Sequence, residues 1–226
     1  MKPEEPQNHR TRVAAEKREK TRAKLLESAL LVFAQKGPQA VIDDVIAQAG
    51  MARGSFYNYF RTNEELLVAV ASEISDELLR AIDPAVQLLD DPADRIARGV
   101  RLVLHAVRQF PLLGAFMARL PFPTANSSLL GVRFLARDVA LGIDAARFGD
   151  IGHRIATDLV VGVVLSAANS LAHEPAEAAY PELIVGAMLE GLGIEASEAA
   201  RIVAQPLPQF VLPEGSILLR AQNFSA

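Results

Sequence analysis

Residues 46–60, IAQAGMARGSFYNYF, decide how the rest of this chain reads. Ile46 and Ala47 close one helix, and Ala49 is small enough for two helices to approach closely. Gly50 tolerates the left-handed backbone that a tight helix exit demands. Met51 turns back to the core. Arg53, Gly54, Ser55, Tyr57, Asn58 and Tyr59 then crowd hydrogen-bonding groups onto about two helical turns. Two cross-packed helices joined by a short glycine turn describe a helix-turn-helix, whose second helix lies in the major groove of DNA.

Outward from this stretch the signals stay helical. Upstream, Leu25, Leu26, Ala29, Leu30 and Phe33 repeat at helical spacing, from a start near 16–21 to a stop at Gly37-Pro38. Residues 42–49 form a second helix with Asp43 and Asp44 in its first turn, where the dipole favours negative charge. The reader follows at 53–59. Thr62-Asn63-Glu64-Glu65 reads as a capping box that opens a helix running to 82, before Asp83-Pro84. Further helices are expected over 91–110, 112–120, 128–147, 151–173, 177–190 and 197–205. No stretch alternates with period two, so the fold class is all-α: a helix-turn-helix domain followed by a helical body. The divisions are a flexible basic arm (1–16), a DNA-binding domain (17–62), a ligand-binding and dimerisation domain (63–208) and a tail (209–226), whose Ile217-Leu218-Leu219 patch suits packing on the body or bridging subunits.

Charge separates the same parts. The net charge is −4, but residues 1–62 hold eleven Lys/Arg against seven Asp/Glu, which leaves twelve basic and twenty acidic residues elsewhere. One part suits a polyanion and the other does not. The chain has no cysteine, which removes disulfides and thiolate metal sites. Four scattered histidines (9, 105, 153, 173) lack metal-ligand spacing, so neither metal nor cofactor is expected. The start carries no apolar signal segment, and the longest uncharged apolar run, 159–172, is too short to span a bilayer. A soluble, cytoplasmic protein is the expectation.

Ile46-Ala47, Ala49-Gly50, Gly54-Ser55-Phe56-Tyr57, Tyr59-Phe60 and Glu65-Leu66, with the upstream Phe33-Ala34 and Gly37, resemble the DNA-binding domain of the TetR family of bacterial transcriptional regulators. The resemblance implies a homodimer, a helical effector-binding domain and repression relieved by a small molecule. Three positions depart from the family pattern. Ala52 and Val41 stand where capping Ser or Thr is usual, each missing cap costing on the order of 1 kcal/mol. Asn63 stands where a phosphate-binding Lys is common, so that contact is weaker here.

Within the reader, Tyr57 and Tyr59 suit phosphate contacts, Gly54 allows close backbone approach, and Ser55 and Asn58 suit bases or phosphates. Arg53 suits bidentate contact with guanine, worth roughly 1–3 kcal/mol of discrimination, or a phosphate. Phe56 and Phe60 are core. Arg10, Arg12, Lys17, Arg18, Lys20 and Arg22 add phosphate or minor-groove contacts, or are simply solvated.

In the body, the 159–172 stretch is apolar or small on every side, the mark of burial all round, and the helix with Leu183, Ile184, Val185, Ala187, Met188 and Leu189 looks similar. They are expected to pair with their copies as a four-helix dimer interface, through Val161, Leu165, Ala168, Ala172, Ile184, Ala187 and Met188. Val103, Val107, Phe110, Phe116, Met117, Phe122 and Phe134, around proline-broken helices, are the candidate effector lining. Arg98, Arg101, His105 and Arg108 form a basic stripe, read as a solvated face or an anion-binding wall. Enzyme motifs are absent from the sequence: no nucleophile elbow, phosphate loop, His-Glu-x-x-His pair or dinucleotide turn. The competing reading is a helix-turn-helix protein without effector, acting through protein partners or DNA architecture.

Overall fold

The computed structural model describes residues 6–120 and 129–222, the side chains of 6–10 and 130 excepted. Every regular element in them is helical: α1 (Pro6–Lys36), α2 (Ile42–Ala49), α3 (Arg53–Phe56), α4 (Asn63–Val86), α5 (Pro92–Gln109), α6 (Pro111–Met117), α7 (Leu130–Asp144), α8 (His153–His173), α9 (Tyr180–Gly191), α10 (Ala196–Val203) and α11 (Ile217–Gln222).

Three differences from the sequence reading bear on the head and its mounting. Residues 6–16 are helix rather than a flexible arm. Pro6 can open a helix, and Ala14 to Lys20 are helix formers with no breaker among them. Residues 11–20 are exposed and buried packing begins at Leu25, so this part rests on propensity and on surface contacts such as the i,i+4 pair of Arg12 and Glu16 at 3.8 Å. The reader is one turn, after which Tyr59 and Phe60 both bond back to the Phe56 carbonyl. Finally, α4 continues through Pro84 to Val86. Ile82 and Val86 bury against Leu102 there, and Gln87 N closes the last turn on Asp83 O at 2.9 Å. Packing outweighs the missing proline N–H.

Two cores divide the molecule. The first joins Leu30 and Phe33 of α1, Val45 of α2, Phe56 of α3 and Leu66 and Val70 of α4 to Leu113 of α6 and Ile217, Leu218 and Ala221 of α11. The second gathers Ile96 and Val100 of α5, Val139 of α7, Val160 of α8, Val185 and Leu189 of α9 and Ile202 of α10. Each large apolar side chain so buried contributes roughly 1.5–3 kcal/mol. α4 carries Leu66 to Ile74 into the first core and Ile82 and Val86 into a third, smaller cluster with Leu102 of α5, so one continuous helix links the small DNA-binding head to the body.

The segment before and within α11 clasps this junction. Ser216 Oγ and Ile217 N donate to the two oxygens of Glu77 on α4, each at 2.7 Å. Arg220 Nε reaches Glu27 Oε1 on α1 at 2.5 Å. Of the two placements open to the tail, residues 217–222 pack back on the body.

Candidate nucleic-acid interface and ligand cavity

The head is built to expose α3 without a side-chain cap. Gly50 takes φ 60° and ψ 42° and turns the chain, and Ser55 N bonds to Ala52 O at 2.9 Å in place of a capping side chain. At α2, Val41 cannot cap, but Asp44 supplies the reciprocal half: its Oδ2 accepts from Val41 N at 3.1 Å. Lys36 Nζ, 2.6 Å from Asp44 Oδ1, and then Val41 N hold the Asp44 carboxyl below its usual range. The acidic first turn thus compensates for the absent Thr.

Phe56 is fully buried and pins α3. Arg53, Gly54, Tyr57 and Asn58 are exposed, while Ser55 and Tyr59 are half-buried. A Cβ added at Gly54 would meet nothing within 4 Å, so its backbone is open to a close partner. Arg53 Nη1 lies 3.0 and 3.3 Å from the oxygens of Asp43, and the neighbouring Tyr57, then Asp43, hold the Arg53 pKa above its usual value. The Arg18 guanidinium lies 5.9 Å from the Tyr59 ring centre, which brings the end of the basic α1 segment to the same side. Asn63 is placed differently from the expectation. Its Nδ2 donates to Ala40 O at 2.6 Å, so its amide is committed to the α1–α2 connection and it leaves the set of free donors.

A cavity of about 200 Å³ lies among α4, α5, α6, α7 and α8. Val103, Phe116, Met117 and Phe134 line it as expected. Val107 and Phe110 do not: they lie further along α5, buried in the first core, where Phe110 stacks edge-on against Phe210 at 6.2 Å. Phe122 lies outside the described residues. The sequence reading missed the α4 wall, Ala71, Ile74, Ser75, Leu78, Leu79 and Ile82, and a polar end formed by Asp83, Arg95 and Asp138. Arg95 Nη2 and Arg137 Nε both reach Asp138 Oδ1, at 3.0 and 2.9 Å. A signal for this end existed: Asp138 follows Phe134 and Leu135 at helical spacing, a charge on an apolar face.

Of the expected interface residues, Val161, Leu165, Ala168 and Met188 need correction. Val161 and Leu165 line the cavity, and Val161, Ala168 and Met188 are buried within their own protomer. Ala172 and Ile184 are half-buried and Ala187 is exposed. The open face of α8 and α9 instead carries Ile155 and Leu183, 65% and 61% exposed, with open space over Gly162 and Gly186. α8 is long and apolar enough to cross a membrane, yet only 28% of its most apolar window is buried.

The basic stripe is taken up by partners within the chain, with Arg101 buried and Arg108 still exposed. Arg98 donates to Ala85 O, Arg101 to Gln205 O and Arg108 to Ala178 O. Arg101 and His105 share Glu182 Oε1 at 3.2 and 2.9 Å. Burial opposes ionisation of Glu182, but the His105 and Arg101 hydrogen bonds win and hold its pKa below the ordinary value. Among the described residues, no cluster of His, Asp and Glu has metal-binding geometry.

Known proteins share this arrangement. Two bacterial regulators match about a third of the chain. YfiR of Bacillus subtilis, an uncharacterized HTH-type transcriptional regulator, is 34% identical over 77 residues, 34% of this chain and 38% of that protein. The HTH-type transcriptional repressor LfrR of Mycolicibacterium smegmatis is 37% identical over 68 residues, 30% of this chain and 35% of that protein. The matches thus span little more than a third of these relatives' length. The crystal structure of RolR in complex with resorcinol superposes with a TM-score of 0.70 at 30% identity, covering 87% of this chain and all of that one. Residues 25–70 match the pattern of bacterial regulatory proteins of the tetR family, and 91–205 match the tetracyclin repressor-like C-terminal domain. Since the head and the body match in the same order along the chain, and the body match alone spans half of it, this protein belongs to the TetR family.

Proposed function

We propose that this DNA-binding transcriptional regulator is a homodimeric repressor of a palindromic operator, released by a small, largely apolar effector, with no catalytic step. The observation that carries the reading is the double role of α4. Leu66, Leu67 and Val70 on its first turns belong to the core of the head. Ile74, Leu78 and Ile82, further along the same rod, wall the cavity. A molecule that fills the cavity therefore pushes on the helix that aims α3. Two recognition helices must sit about 34–36 Å apart to meet successive major grooves, so a small tilt of α4 in each protomer favours release. LfrR supports repression, and resorcinol in RolR supports an effector of small size.

The exposed Ile155–Leu183 face supports the dimer, with Gly162 and Gly186 allowing close approach, and it accounts for the apolarity of α8 in a protein that works on DNA in the cytoplasm. Light scattering at micromolar concentration reads out a dimer; a monomer removes the paired-reader geometry. The DNA contacts are assigned to Arg53, Gly54, Ser55, Tyr57, Asn58 and Tyr59. In a fixed-salt titration with DNA flanking its own gene, Arg53→Ala loses roughly 1–3 kcal/mol of discrimination at a guanine position. Tyr57→Phe weakens all sites alike, as loss of a phosphate contact does. Unchanged binding by both variants rules out α3 as the reader.

A further inference from the structure

We infer that the polar end of the cavity selects an uncharged ring compound bearing hydroxyl groups. The inference rests on reading the cavity as the effector site and adds the chemistry of the ligand. Asp83, Arg95 and Asp138 line this end, and Arg137, over the Phe134 ring at 4.6 Å, backs it from the partly exposed side. Asp138 Oδ1 receives Arg95 Nη2 and Arg137 Nε, at 3.0 and 2.9 Å. Arg137 Nη2 then stops 4.0 Å short of Asp83 Oδ1, too far for a hydrogen bond. Gln87 Nε2 binds the other Asp83 oxygen, which leaves Oδ1 facing the gap.

Two guanidinium nitrogens, Arg95 Nε and Arg137 Nη2, are buried and have no hydrogen-bond partner among the described residues. Buried polar groups in folded proteins are almost always paired, so each such orphan calls for an occupant. A hydroxyl group fits the gap because it both donates and accepts: its proton goes to Asp83 and its oxygen accepts from Arg137. Arg95 Nε offers a donor to a second oxygen. The two aspartates and two arginines cancel in charge. A carboxylate or an ammonium group would therefore bring a buried charge with no surplus partner, which is costly. Ile74, Leu78, Val100 and Phe116 supply apolar walls for the ring. A cavity of about 200 Å³ suits one substituted ring, as roughly 150 Å³ holds benzene.

The test is calorimetry on the full chain with resorcinol, toluene and benzoate as probes, comparing wild type with Asp83→Asn. Resorcinol is expected to bind at least tenfold more tightly than toluene or benzoate. Asp83→Asn, which keeps the shape of the side chain, is expected to weaken resorcinol at least tenfold and leave toluene unchanged. Equal binding of resorcinol and toluene, with no effect of Asp83→Asn, overturns the hydroxyl assignment and leaves the cavity standing as an apolar effector site. Tighter binding of benzoate overturns it in the same way. No binding by any probe overturns the effector reading itself, and the ligand chemistry with it. Should Asp83→Asn fail to fold, the ranking of the three probes on wild type decides alone.

Discussion

Arg53 on the DNA-binding head and Arg95 at the cavity each meet an aspartate at 3.0 Å, Asp43 and Asp138. The side chains of the first pair are 59% and 62% exposed, those of the second 16% and 7%. In water an ion pair of this kind contributes about 0–1 kcal/mol. Buried, the same pair has a large desolvation cost behind it, and losing one partner costs about 3–5 kcal/mol. The contrast matches the two tasks. A reader must give up its intramolecular partner when DNA arrives, and a weak exposed pair lets it do so. A ligand cavity must hold its donors still while empty, and a buried pair does that.

The largest effect is expected from Asp138→Ala. It strands the buried Arg95 guanidinium and takes a partner from the more exposed Arg137, and it lowers unfolding free energy by about 3–5 kcal/mol in a denaturant titration. A loss below about 1 kcal/mol would put the buried pair on the same footing as the exposed one. Glu77 sharpens the comparison, being buried with hydrogen bonds but, among the described residues, no direct ion pair. Burial pushes its pKa up against the lowering by Ile217 N and Ser216. A raised folded pKa stabilises fully below the unfolded value, and that contribution is lost as pH rises through the folded one. Wild type is therefore expected to lose stability relative to Glu77→Gln as pH rises from acid to neutral, by on the order of 1 kcal/mol. Melting temperatures measured across that range check this, and a constant difference excludes it. Asp43→Ala is the smallest case. Stability changes by no more than about 0.5 kcal/mol, while DNA affinity rises modestly because a carboxylate beside the phosphates is gone.

The legible parts of the sequence were those where backbone demands dictate residue type. Gly50 must turn left-handed, Phe56 and Phe60 must anchor a one-turn helix, and both requirements stand at fixed spacing in residues 46–60. The large rings of Phe116 and Phe134 marked a cavity wall for a similar reason, since bulky groups beside chain breaks pack imperfectly. Asp83, Arg95 and Asp138 escaped notice because they come from three separate helices and sit beside Pro84, Asp94 and Arg137, neighbours that read as a loop or a solvated face. The phase of α8 was hidden by its own composition: with small apolar residues on all sides, periodicity cannot tell the cavity side (Val161, Leu165) from the open side (Ile155). The basic stripe misled because sequence shows charge but not the carbonyl oxygens of Ala85, Ala178 and Gln205 that absorb it.

The bond between Arg220 and Glu27 joins residues 193 apart in sequence. At about 5–20 residues added per second, Arg220 is made roughly 10–40 s after Glu27. For that interval the nascent head has α1, α2 and α3 but not the strap that ties it to the body. A freshly translated head is therefore looser than a finished one, and DNA binding at full strength waits on completion of the molecule.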